Sequence, residues 1–151
     1  MLSHQVKELA WLLAQCGHMA RRAWATRSLK YGQNLDTRPE ETMDFFSTLD
    51  ADLDEKLIRG LRRKFGINRF LSEEGSRIPE RNETGGRRGV IDSLDGSSNF
   101  ITYRPDFGIS VAIEEDGILE LGGVITPARG ELIIAENDQV AYLFPCYGKG
   151  L

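Results

Sequence analysis

The sequence VIDSLDGSSNF, residues 90–100, places two acidic residues at the end of a short apolar run. Val90 and Ile91 are typical of a buried β-strand. Asp92 and Asp95 follow them, although like charges repel and burial removes their hydration. Carboxylate oxygens of this kind are the ligands that hard cations such as Mg²⁺ prefer. The stretch therefore predicts a strand whose carboxyl end faces a positive charge.

The residues after Asp95 are small and polar. The run from Gly96 to Asn99 can begin a helical turn with outward-pointing amides, and such a turn accepts phosphate oxygens. A metal ion beside such amides would provide the parts needed for hydrolysis of a phosphate ester. Taken alone, however, Asp95-Gly96 is more simply interpreted as an ordinary turn.

Two further acidic groups stand at predicted element ends. Glu73-Glu74 follows a short predicted strand at Phe70-Leu71, and the ends of neighbouring strands meet at one edge of a sheet. Asp50 opens a predicted second helix, in which further acids gather where helix amides favour negative charge. Each group also has a simpler interpretation, since Asp50 can be a helix cap and Glu73-Glu74 a solvated loop pair.

Apolar spacing along the chain predicts an α+β fold, with two long helices packed on a largely antiparallel sheet. The first helix is expected from Ser3, its cap, to Lys30, and the second is expected to end near Gly66. A loop is expected between them, over Tyr31 to Met43. The later β-rich runs are residues 107–113, 118–125 and 131–135, with a hairpin turn at Asp116-Gly117.

The composition argues against several classes of protein. The 151 residues carry a net charge of −4, which disfavours a nucleic-acid binder, and contain no run long enough to cross a membrane. Only two histidines and two distant cysteines are present, so histidine-based triads, disulfides and Cys/His metal sites are not expected. We expect a single domain over residues 1–151, located in the cytoplasm.

Four stretches in this order resemble signatures of the inositol monophosphatase family. They are LSEEGS at 71–76, VIDSLDGSSNF at 90–100, PDFGISVAI at 105–113 and GGVITPARGELIIAE at 122–136. The corresponding family patterns include GEES, IDPxDGTxNF and GVVxxPxxxELFxAE. DFFSTLD at 44–50 is similar to the DxVTxxD segment of the family, so the resemblance spans Asp44 to Leu143. It implies the N-terminal, metal-binding half of the layered sugar-phosphatase fold.

The resemblance also implies a reaction and a set of site residues. The reaction is hydrolysis of a small-molecule phosphomonoester by water activated at Mg²⁺, with two or three ions in the family and Mn²⁺ as a substitute. The implied metal ligands are Glu73, Asp92, Asp95 and the Leu94 carbonyl. The implied phosphate-binding groups are the amides of Gly96 and Ser97, and the implied catalytic residues are Asp50, Glu73 and Ser97.

Departures from the family pattern leave alternatives open. Ser93 replaces the usual proline, which we expect to loosen the turn, and residues 144–151 match no part of the pattern. Family members are roughly twice as long, so the chain is a fragment, half of a two-chain protein or a reduced member. A truncated non-catalytic relic that binds metal or phosphate, or acts as an interaction module, is therefore the alternative to a phosphatase.

The difference in length from family members also affects what we expect of partners and of the substrate. We expect an exposed sheet edge or apolar face where the second half of the family fold would lie, and with it a homo-oligomer or a complementing chain. An inositol phosphate, a 3′-phosphoadenosine nucleotide and a sugar phosphate all remain open as substrates.

Overall fold

A computed structural model describes residues 2–30, 39–73, 86–137 and 140–146 of the chain. These residues form two long helices, one short helix and six strands. The helices are α1 (His4–Lys30), α2 (Pro39–Phe65) and α3 (Ser97–Ile101). The strands are β1 (Phe70–Ser72), β2 (Arg87–Asp95), β3 (Gly108–Glu115), β4 (Ile118–Thr126), β5 (Glu131–Glu136) and β6 (Val140–Pro145). The α+β class predicted from the sequence is confirmed.

The two long helices follow the predicted apolar spacing, but α2 begins earlier than expected. Ser3 caps α1 as predicted, because its hydroxyl accepts a 3.1 Å hydrogen bond from the Val6 amide. The predicted loop over Tyr31 to Met43 is wrong for residues 39–43, which are helical, while residues 31–38 lie outside the described part. Asp50 therefore lies inside α2, and its interpretation as a helix cap is wrong.

All six strands belong to one sheet, in which each strand lies beside its neighbours in sequence order. The pair β1–β2 is parallel and the other four pairs are antiparallel, as expected for a largely antiparallel sheet. The predicted turn at Asp116-Gly117 joins β3 to β4, and both of its residues have positive φ, which the tight hairpin turn requires. The strand β6 is not among the strands predicted from the sequence, although its apolar run is typical of a strand.

Both long helices lie on the same face of the sheet and enclose the core. Residues of α1 at helical spacing, such as Leu9 and Leu13, are fully buried, and so are Leu57 and Leu61 of α2. The helix α1 contacts β3, β4 and β5, whereas α2 contacts β2. Consequently α2, rather than α1, is the helix that lies against the strand carrying Asp92 and Asp95.

The opposite face of the sheet has no covering layer among the described residues and is apolar. Val124, Ile133 and Leu143 are direct cross-strand neighbours on β4, β5 and β6, and they are 45%, 49% and 66% exposed. We call this surface the open face. An exposed apolar face is therefore present, because these three large side chains lie side by side. That a second half of the family fold lies against it stays a prediction.

No helix in the described ranges has both the length and the apolarity needed to span a membrane.

Candidate functional site

The parallel pairing of β1 and β2 brings the ends of both strands to one edge of the sheet. In their register Phe70 lies opposite Gly89 and Ser72 opposite Ile91, so both strands run toward the same side. Glu73 follows β1 directly and is exposed, while Asp92 and Asp95 lie in the last part of β2. Three of the acids singled out from the sequence therefore share one edge, whereas Glu74 lies outside the described residues.

The surroundings of Asp92 disfavour its charged form. The pKa of the Asp92 carboxyl is raised above its ordinary value, first by partial burial and then by the negative charges of Asp95 and Glu73. A hydrogen bond from the Leu94 amide acts in the opposite direction and favours the charged form. The three acids are thus close enough for their charges to interact.

These acids do not form a finished coordination shell. Among the residues that the structure describes, no three His, Cys, Asp or Glu side chains are grouped so that they could hold a metal ion together. Coulomb repulsion acts over longer distances than coordination does, so carboxylates can influence one another's pKa without sharing a ligand sphere. In its chemistry the donor set, three carboxylates beside a backbone turn, fits a hard divalent cation.

Asp50 reaches this edge from α2 and contacts β2 directly. Its Oδ1 atom accepts a 2.6 Å hydrogen bond from the Ser93 hydroxyl, and the two side chains are only 8% and 2% exposed. We expected serine in place of proline to loosen the turn, but Ser93 is held by this hydrogen bond. The ladder to β3 is irregular between Asp92 and Asp95, but Ser93 itself is buried and anchored.

A second buried pair, which the sequence analysis missed, lies one helical turn farther along α2. The Ser72 hydroxyl donates a 2.7 Å hydrogen bond to Oδ1 of Asp54, and both residues are buried. The sequence carries a signal for this pair, since Asp50 and Asp54 share the helix face of Leu53 and Leu57. That signal was hidden because α2 was expected to begin at Asp50, where acids are common for another reason.

The turn after Asp95 has the shape predicted from its small residues. Gly96 has φ +78°, and a Cβ atom there would lie 2.7 Å from the Asp106 carbonyl oxygen, so only glycine fits. The first helical hydrogen bond of α3 runs from the Phe100 amide to the Gly96 carbonyl at 3.0 Å. The Ser97 amide precedes this first bonded amide and therefore faces outward from the turn.

Two contacts hold this turn in place from the other side. The Asn99 side-chain amide donates a 2.6 Å hydrogen bond to the Asp106 carbonyl. Phe100 is fully buried, and its ring packs edge-on against Phe107 with centroids 5.0 Å apart. The turn, which starts at Gly96 and Ser97, is thus held by the packing of Phe100 against Phe107 and by the hydrogen bond of Asn99.

Comparison with known proteins gives the same family as the sequence motifs. Residues 3–147 match the sequence model of the inositol monophosphatase family. The chain is 31% identical to a histidinol-phosphatase of Chlorobaculum parvum over 137 residues, which cover 90% of this chain and 49% of that protein. It is 34% identical to an inositol-1-monophosphatase of Rhizobium meliloti over 111 residues, which cover 74% and 41%.

Solved structures share the fold. The inositol monophosphatase II of Staphylococcus aureus superimposes with a TM-score of 0.71 at 22% identity, covering 91% of this chain and 48% of that one. The inositol monophosphatase of Thermotoga maritima gives a TM-score of 0.69 at 24% identity, covering 93% and 51%. The chain thus spans about half the length of the relatives and structures that it matches.

Proposed function

Because the chain belongs to the inositol monophosphatase family, we propose that it carries the metal- and phosphate-binding half of a Mg²⁺-dependent phosphomonoesterase. The observation that supports this most directly is the parallel pairing of β1 and β2. It places Glu73, Asp92 and Asp95 at one edge of the sheet, beside the turn that begins at Gly96. Acids at the same edge of the sheet as outward-facing amides are suited to a phosphate held through divalent cations.

In this proposal the residues of the chain have distinct roles. Glu73, Asp92, Asp95 and the Leu94 carbonyl hold Mg²⁺, for which Mn²⁺ can substitute. When bound, the metal stabilises negative charge on the phosphate and lowers the pKa of a water molecule. The amides of Gly96 and Ser97 bind the phosphate oxygens, and the Ser97 hydroxyl and Glu73 orient the attacking water. Asp50 completes the hydrogen-bond network around that water.

The substrate in this proposal is a small phosphorylated alcohol. The relatives carry names that differ in substrate, including histidinol-phosphatase and inositol-1-monophosphatase. Inositol phosphates, 3′-phosphoadenosine nucleotides and sugar phosphates therefore all belong in a first substrate panel. Neither nucleic acid nor a membrane is part of the proposal.

A second candidate function is non-catalytic binding of metal or phosphate, or service as an interaction module. The observation that favours it is the open face, on which Val124, Ile133 and Leu143 are exposed side by side. The two functions differ in turnover, so a hydrolysis assay separates them. A binding module should release no phosphate beyond a control that contains the metal alone.

The test combines binding and turnover on the full chain. Titration calorimetry with Mg²⁺ and with Mn²⁺ should detect binding that Asp95→Asn and Asp92→Asn each weaken by at least about tenfold. Asp52→Asn is the matched control, because Asp52 is an exposed acid on α2 and loses the same charge. Binding unchanged in Asp92→Asn and Asp95→Asn would contradict the metal assignment.

A further inference from the structure

We propose that Ser72 and Ser93 are positioning residues, which fix the ends of β1 and β2 to α2 and thereby set the spacing of the metal ligands. The inference rests on the proposed function, since it concerns the ligands Glu73 and Asp92. It concerns two hydroxyl groups to which neither the motifs nor the comparisons give a role.

The geometry is a pair of matching contacts on one face of α2. Asp50 and Asp54 lie four residues apart, which places them one above the other on a helix. Each accepts a hydrogen bond from a strand serine, Ser93 at 2.6 Å and Ser72 at 2.7 Å. The four side chains are between 2% and 8% exposed, so water competes little for these bonds.

Each serine is the immediate chain neighbour of a proposed ligand. Ser93 follows Asp92, and successive side chains of a strand point to opposite faces. The Ser93 side chain points to α2, so its hydrogen bond holds the peptide unit that joins it to Asp92. Ser72 precedes Glu73 in the same way, at the end of β1.

The two contacts act on two different strands through one rigid element. A relative shift of β1 and β2 at this edge would have to break at least one serine–aspartate bond, because Asp50 and Asp54 belong to the same helix. Partners that orient metal ligands without touching the metal typically change metal affinity by about 10–100-fold when they are removed. The serines of this chain are suited to that role.

Both serines depart from the family pattern quoted above. Serine at position 93 stands where the pattern has proline, and serine at position 72 stands where GEES has glycine. Neither proline nor glycine carries a hydroxyl group. The chain thus has two added donors, each directed at an acid on α2.

The test uses the near-isosteric pair Ser93→Thr and Ser93→Val in the full chain, with Mn²⁺ as the probe. Thr keeps the hydroxyl and Val lacks it, so the difference between them isolates the hydrogen bond. We expect Ser93→Thr to bind Mn²⁺ like the unchanged chain and Ser93→Val to bind it about tenfold or more weakly. Ser72→Ala should weaken binding similarly, as an independent second variant.

The control is Ser3→Ala, which removes another serine–carboxylate hydrogen bond of 2.7 Å, from Ser3 to Glu136 on β5. It should lower the melting temperature without changing Mn²⁺ affinity, which separates positioning from general destabilisation. If folded Ser93→Val and Ser72→Ala bind Mn²⁺ as tightly as the unchanged chain, the positioning role is wrong and the metal site stands. If the unchanged chain does not bind Mn²⁺, the proposed function and this inference both fail.

Discussion

The Asp106 carbonyl oxygen lies 2.7 Å from the position that a Cβ atom would take on Gly96. This contact brings the loop before β3 against the turn after β2, and it leaves no room for a larger residue. The same glycine has a left-handed backbone, with φ +78°. Two independent physical reasons therefore require glycine at the start of the proposed phosphate-binding turn.

Gly96→Ala should consequently be costly. We expect it to lower the free energy of unfolding by about 2–5 kcal/mol, from the left-handed backbone and from overpacking against Asp106. Denaturant unfolding followed by circular dichroism measures the effect. Gly117→Ala is the control, because Gly117 has φ +84° with no atom within 4 Å of an added Cβ. Equal losses in the two variants would show that the Asp106 contact is unimportant.

Cys16 should make stability depend on alkaline pH. Burial raises the pKa of the Cys16 thiol from 9.0 to about 12. Between these values the folded chain keeps a proton that the unfolded chain loses, so stability falls as pH rises from about 9 to 12, by about 1.4 kcal/mol per pH unit from this group. Below pH 9 this contribution is fully present.

The measurement is a series of denaturant unfolding curves at increasing pH for the unchanged chain and for Cys16→Ala. The difference in unfolding free energy between the two should shrink above pH 9, because only the unchanged chain has this thiol. A constant difference across the alkaline range would contradict the buried, protonated thiol.

The two faces of β5 should respond differently to the same substitution. Ile134 is fully buried under the helices, whereas its neighbour Ile133 is 49% exposed on the open face. We expect Ile134→Ala to cost about 2–5 kcal/mol of unfolding free energy, because it leaves a cavity in the core. Ile133→Ala should cost less than half as much, since much of its side chain already meets water. Comparable losses would mean that the open face is covered.

Self-association remains a prediction of the sequence. The exposed neighbours Val124, Ile133 and Leu143 form an apolar patch that favours contact with a second apolar surface. We expect sedimentation velocity to show association that increases with concentration, and Ile133→Asp to reduce it by burying a charge in any contact. A chain that stays monomeric at high micromolar concentration would contradict this expectation.

The motifs around β2 were predictable because their residues act locally. The apolar run of Val90 and Ile91, the acids after it and the small residues from Gly96 to Ser98 describe a strand, a charged end and a turn. The hairpin at Asp116-Gly117 and the cap at Ser3 are local signals too, and both are confirmed. The site roles of Glu73, Asp92, Asp95, Leu94, Gly96 and Ser97 stay predictions.

The start of α2 was not predictable from the same kind of signal. Acids gathered around Asp50 are typical of a helix N-terminus, but the helix continues back to Pro39. Asp50 and Asp54 instead accept hydrogen bonds from strand serines, which are tertiary contacts. Local propensity cannot distinguish an acid that meets helix amides from one that meets a partner across the core.

The sequence by itself determined the order of the two long helices and of β1 to β5, the turn at Gly96 and the membership of a family, because these depend on periodicity and on motifs of residues close together in the chain. Only the tertiary structure decided that β1 and β2 are parallel neighbours, that α2 binds both through Asp50 and Asp54, and that one face of the sheet is open. The two serine–aspartate contacts join residues that are 18 and 43 positions apart in the chain. Contacts over such separations form when helices and strands pack together, so short stretches of sequence do not predict them.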